Sequence, residues 1–213
     1  IDPGREYFYE SPAGSETSLS DAVRIDSTQQ SGNDLILYNY KILDSLSSLP
    51  FPCEHDTARP SWIGEKILEA SNGIYYLLNR AGDTITIASQ TPLGGTFDLL
   101  QLSGGNRLEA EVIAVNQGLV LGQSDSIKIF EITARDGMGQ PIAHALNQKQ
   151  FHIAQNLGLV QTIRFYDLPH DPLEMPIAGI SNPNLGKTNL GRAQIYDWAV
   201  GHMVAPTRCH QMR

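Results

Sequence analysis

No run of basic residues occurs anywhere in this sequence. Lys and Arg total 15 against 23 Asp and Glu, a net charge of −8. Phosphate backbones are bound by clustered cations, so nucleic acid is excluded as a general partner. Long apolar runs are missing too. The longest are strand-sized, Ile74 to Leu78 among them, far below the roughly 18 apolar residues a spanning helix needs. Charge is scarce overall, at 18% of residues where about a quarter is usual. The opening "IDPGREYFYE" fits an exported, processed chain and a trimmed one equally well, so it leaves the compartment open.

Cysteine is scarce as well, with Cys53 and Cys209 near opposite ends of the chain. A disulfide between them would close a very long loop, worth roughly 4–5 kcal/mol in the chain-entropy model. Two buried thiols are the plain alternative. Zinc is a third, because "CEHD" and "RCH" bring Cys53, His55, Asp56, Cys209 and His210 into question. The spacing argues against it. Zinc motifs place two ligands two to four residues apart in each half, and adjacent residues of an extended chain point to opposite sides.

Gly (19) and Pro (12) are plentiful, and strand patterns fill the chain between them. "REYFYE" (5–10), "LILYNYKIL" (35–43), "WIGEKILEA" (62–70) and "GTFDLLQL" (95–102) alternate with aromatic or branched residues. "GIYYLLNRAGDTITIA" (73–88) reads as two strands about the turn "NRAGD". "LEAEVIAVNQGLVL" (108–121), "SIKIFEITARDGMGQPIAHAL" (126–146) and "QFHIAQNLGLVQTIRFYDL" (150–168) continue the pattern. In "RDGMGQP", Asp136 starts a turn and Gly137 or Gly139 takes the positive φ. "SETSLSDAVRI" (15–25) fits a helix start or a strand from Ala22 to Asp26, and "RAQIYDWAVGH" (192–202) a strand or short helix.

Many short strands without crossover helices predict a mainly β, antiparallel fold, a β-sandwich or partly open barrel with little helix. Residues 1–213 form a single β-rich domain on this reading. The Pro/Ser-rich piece 45–61 is the best linker candidate and would set off residues 1–50 as an N-terminal hairpin region.

Chemistry-bearing motifs are weak. His170-Asp171 in "LPHDPLE" has the residue types of a metal or acid–base pair, but Pro169 and Pro172 exclude a helix through it. A turn is the simpler reading. "NLGKTNLG" (184–191) holds Gly-Lys-Thr, yet Ser181 stands where a phosphate-binding loop needs glycine. No G-x-S-x-G elbow occurs, so no catalytic residue and no cofactor is assigned. His55, Asp56, His170 and Asp171 are the weak metal candidates. Tyr7 with Tyr9, and Tyr38 with Tyr40, project in pairs from one strand face. Such rings build glycan or peptide platforms, and they also serve as ordinary cross-strand packing.

From "DSIKIF" (125–130) and "DGMGQPI" (136–142) through "NLGLVQTIRFYDLP" (156–169), "IAGI" (177–180) and "NLGKTNLGRAQIYDWAVGH" (184–202), the order of elements resembles a known group. It is a loose group of uncharacterised exported β-rich proteins that carry type IX secretion sorting domains. The likeness spans about residues 120–202. It departs at His202, where the group tends to have Asp. The resemblance implies export to the cell surface, envelope or extracellular space, and that setting favours the Cys53–Cys209 disulfide. It transfers no catalytic residue.

Three functions follow as expectations. The first is a noncatalytic exported or surface-associated β module for structure, adhesion or assembly, with protein or surface-glycan partners. The second is a hydrolase or metal enzyme with a site assembled from loops. The third is a half-barrel that holds an apolar ligand on its concave face. The stretch 156–171 is read as one half-buried strand: Leu157, Leu159, Ile163 and Phe165 share a face, Gly158 makes a bulge or kink, and Pro169 ends the strand.

Overall fold

The computed structural model describes residues 4–10, 20–43, 54–56, 60–186 and 188, with backbone alone at 20, 21, 26, 40–43 and 54–56. Strands β1 (Glu6–Glu10), β2 (Ser20–Ser31), β3 (Asp34–Leu43), β4 (Glu54–Asp56) and β5 (Lys66–Ala70) come first. Then follow β6 (Ile74–Leu78), β7 (Thr84–Ala88), β8 (Thr96–Gln101), β9 (Arg107–Val120) and β10 (Gln123–Arg135). The last are β11 (Gln150–Ala154), β12 (Gly158–Ile163), β13 (Glu174–Ile180) and β14 (Leu185–Gly186).

All pairings among these strands are antiparallel, and each ring strand bonds the next one in the chain. Strand β13 then pairs with β1, Tyr7 opposite Ile180 and Phe8 opposite Gly179. This closes a barrel of 12 strands with two more, β4 and β14, outside the ring. The fold class expected from the sequence is therefore borne out, and the barrel is closed rather than partly open. Closure satisfies the backbone edges that an open sheet would leave unpaired. Strands β1, β2 and β3 belong to the same ring.

Tight turns explain the meander. The residues between β2 and β3 are Gly32-Asn33, with Gly32 at φ +63°. In "RDGMGQP" the Asp136 carboxylate accepts the amides of Met138 (2.9 Å) and Gln140 (2.8 Å). Gly139 is the residue with positive φ, +83°. The expected start at 15–25 is resolved as strand from Ser20 onward.

Three expected strands are shorter than their alternation suggests. "WIGEKILEA" becomes strand only from Lys66. Gly64, at φ +95°, donates its amide to the Ser61 carbonyl at 2.9 Å. Asn39 Nδ2 donates to Ser61 Oγ at 2.8 Å and to the Gly64 carbonyl at 2.6 Å. That turn carries Trp62, 3% exposed, into the core. After Arg135 the chain makes only an isolated bridge at Pro141 and then loops, with Leu146 fully buried. Asn147 holds the loop: its side-chain Oδ1 accepts the Ala134 amide and its Nδ2 donates to the Ile142 carbonyl, each at 2.7 Å. Strand β12 ends at Ile163, before a single 3-10 turn at Phe165–Asp167.

Inside the ring a row of aromatic rings crosses from wall to wall. Tyr9 meets Trp62 edge-on at 4.9 Å, and Trp62 lies 6.4 Å from Phe165. Phe165 meets Phe151 at 5.6 Å, Phe151 stacks on Phe130 at 4.7 Å, and Phe130 meets Phe97 at 5.9 Å. Such pairs add about 0.5–1.5 kcal/mol each beyond area burial. This part of the interior is thus filled by side chains.

Candidate functional site

Among the buried residues lies a cavity of about 470 Å³. Ligand pockets run about 300–1,000 Å³. Its position follows from strand alternation, since residues two apart share a face. Phe130 of the aromatic row is one inward step from Lys128, Phe151 from Ile153, and Tyr9 from Tyr7, and the second member of each pair lines the cavity. The row itself lies one residue step beyond these lining positions.

Polarity changes with depth. Leu37, Ile63, Ile67, Leu77, Ile87 and Leu159 line it deep inside and are all buried. Gln90, Gln155 and Asn156 line it at the exposed rim, with Ser89, Ser126 and Lys128 half-buried between. The β9–β10 hairpin contributes Val115, Ser126 and Lys128 to the lining. Val115, 47% exposed, belongs to the lining.

Lys128 is the cation of the lining. Its Nζ donates to the carbonyl oxygens of Ser89 and Thr91, each at 2.7 Å. Desolvation lowers its pKa below the ordinary lysine value, because the ammonium is partly withdrawn from water and its two partners carry no net charge. Among the described residues the lining includes no Asp, Glu, His or Cys.

The rim is fastened by a buried carboxylate. Asp125, 3% exposed, accepts the amide of Ser126 at 2.8 Å and the Nδ2 of Asn156 at 3.1 Å. The Asn156 amide is shared between its two oxygens, at 3.0 and 3.3 Å. One side chain thereby ties β10 to the β11–β12 turn beside the cavity mouth.

The residues singled out from sequence lie elsewhere. His170 is exposed in the turn after the 3-10 segment and donates its amide to the Asp167 carbonyl at 2.9 Å. Asp171 accepts the Leu173 amide at 3.0 Å and lines a shallow depression with Lys149 and Glu174. His55 and Asp56 are described by backbone alone, Asp56 opposite Lys41 and His55 opposite Ile42. Cys53, Cys209 and His210 lie outside the described residues. Among the described residues no group of three His, Cys, Asp or Glu is placed to hold a metal. Tyr7 and Tyr9 do share a face, and it is the interior one, at 1% and 0% exposure. Tyr38 reaches Gln29 outside at 2.9 Å, and the Tyr40 side chain lies outside the described atoms.

Sequence reasoning missed Lys128, Ser126 and the apolar lining. The signal that bears on them is the two-residue spacing in "SIKIFEITA", where Ser126 and Lys128 stand in phase with Phe130, Ile132 and Ala134. Phe130, Ile132 and Ala134 are all buried, and unbroken alternation along β10 puts Lys128 inside with them.

Against known proteins, no family model matches this chain, and neither a curated protein nor a solved structure matches it.

Proposed function

We propose that this chain is an exported, noncatalytic binding module whose barrel interior takes a small molecule with a substantial apolar part. The observation that carries this is the cavity, apolar and buried at its floor and polar at its rim. Among the described residues the lining has no carboxylate, imidazole or thiol, and its lysine is engaged by two backbone carbonyls rather than paired with a nucleophile, which favours binding over turnover. The resemblance across residues 120–202 supports export. The outer wall bears Glu109, Glu111, Glu131 and Arg135 on the long hairpin, the reverse of the apolar outer band of a lipid-embedded barrel. Among the described residues no helix is long and apolar enough to cross a membrane.

The test uses an uncharged probe, N-phenyl-1-naphthylamine, which brightens in apolar surroundings. Saturable uptake by the folded chain is expected, with loss of uptake in Ile153→Trp, a half-buried lining position that can accept bulk. Absence of saturable uptake, or equal uptake by Ile153→Trp, would defeat the reading.

A further inference from the structure

We propose that the cavity takes a single-chain amphiphile with a carboxylate head, the head on the Lys128 ammonium and the chain on the apolar floor. This rests on the cavity reading above and specifies its ligand.

The argument starts from charge. An ammonium drawn partly out of water normally gains a carboxylate partner. Lys128 has instead two backbone carbonyls, at 2.7 Å each, and among the described residues its lining has no Asp or Glu. Two of its three N–H donors are thus used by neutral acceptors. One donor and the full positive charge remain for an anion. Ser126 lies two residues earlier on the same inward face of β10 and brings a hydroxyl to the same lining.

Position selects the rest of the ligand. Lys128 is one inward step above Phe130, and therefore between the apolar floor and the polar rim. A molecule that meets both must be apolar at one end and negative near the other. One ammonium donor with one hydroxyl suits the two oxygens of a carboxylate. A phosphate's larger charge and oxygen count are usually met by several donors or an Arg fork, and among the described residues no arginine lines this cavity. Tyr7 and Tyr75 are the other titratable groups of the lining, and the Tyr75 hydroxyl is turned to the Glu69 carboxylate at 3.4 Å.

Titration of the full chain with decanoate, decanol and decyltrimethylammonium at neutral pH tests the assignment. Decanoate is expected to bind at least tenfold tighter than decanol, and the cationic amphiphile weakest. Lys128→Met is expected to remove the decanoate advantage and leave decanol unchanged. Equal binding of decanoate and decanol, or an undiminished advantage in a folded Lys128→Met chain, would overturn the assignment while the cavity reading stood. Binding of none of the three would defeat both. If Lys128→Met does not fold, the wild-type chain suffices. The decanoate advantage should fade as pH rises and Lys128 loses its proton, before the ordinary lysine range is reached. An advantage that persists unchanged through that range would overturn the assignment.

Discussion

The Tyr9 hydroxyl donates to the Leu159 carbonyl at 2.9 Å, joining residues 150 positions apart in the chain. It ties β1 to β12 beside the seam where β13 meets β1. Burial, followed by the neighbouring Tyr7, pushes the Tyr9 phenol well above the ordinary tyrosine range.

Tyr9→Phe is therefore expected to act in two directions. At neutral pH it loses one buried hydrogen bond, about 1 kcal/mol, and leaves a carbonyl short of a donor. At high pH the sign reverses. A raised folded-state pKa means that stability is full below pH 10, the ordinary tyrosine value, and is lost above it as the unfolded chain releases the proton first. Removing the phenol removes that loss. Urea midpoints for both chains at pH 7.5 and pH 10.5 check this: the deficit of Tyr9→Phe should shrink at the higher pH.

His152 supplies the opposite titration. Burial lowers its pKa below the ordinary value of 6.5, and the Glu174 charge only partly offsets this. The folded chain then resists a proton that the unfolded chain accepts, so stability is present above about pH 6.5 and is lost as pH falls through the lowered value. His152→Gln should flatten the difference in urea midpoint between pH 7.5 and pH 5. An unaltered difference would assign the acid sensitivity to other groups.

Much of this fold is legible in the sequence because the rules that shape it are local. Alternation marks most strands, and Asp136 with Gly139, or Gly32-Asn33, marks the turns. What is not local is not legible. The β1–β13 closure, reinforced where the Glu6 amide meets Ser181 Oγ at 2.9 Å, depends on residues 175 apart. In β12 the register skips Val160, with His152 opposite Gln161 and Ile153 opposite Leu159. The bulge is therefore at Val160, while Gly158 carries a positive φ of +77° at the strand's start. Val160 and Thr162 are buried at 7% and 0%, so the stretch read as half-buried is buried on both faces. The cavity escaped notice for a related reason. In β9 Ile113 is skipped opposite Ile129 and Phe130, so the strand bearing Lys128 keeps its phase and its neighbour changes. Alternation within one strand cannot reveal that.

Asp125 should be costly to remove. Asp125→Ala leaves the Ser126 and Asn156 amides without the carboxylate that accepts them. Hydrogen bonds to a charged acceptor contribute about 1.5–3 kcal/mol each, and non-additivity within one cluster keeps the total near 3–4 kcal/mol. Chemical denaturation measures the loss. Amide exchange should speed most at Ser126 and Asn156, the two ends of the clasp. Uniform acceleration through the barrel would show that the carboxylate has no local role.

Gly186 and Gly82 both have positive φ, +65° and +86°, and differ in the room beside them. A methyl on Gly82 meets nothing within 4 Å, so Gly82→Ala carries only the left-handed backbone penalty, about 1–2 kcal/mol. A methyl on Gly186 would run into the Ala178 carbonyl and the Leu121 side chain. Neither can yield cheaply: Ala178 belongs to β13, whose next residue, Gly179, pairs with Gly186, and Leu121 holds the turn of the β9–β10 hairpin at φ +50°. Gly186→Ala is therefore expected to release β14 from β13 rather than strain the barrel itself. The melting temperature should fall more than for Gly82→Ala, and amide exchange at Leu185 should rise sharply while Phe130 and Phe151 stay protected. Equal effects of the two substitutions would mean that the close approach of Gly186 to β13 contributes nothing.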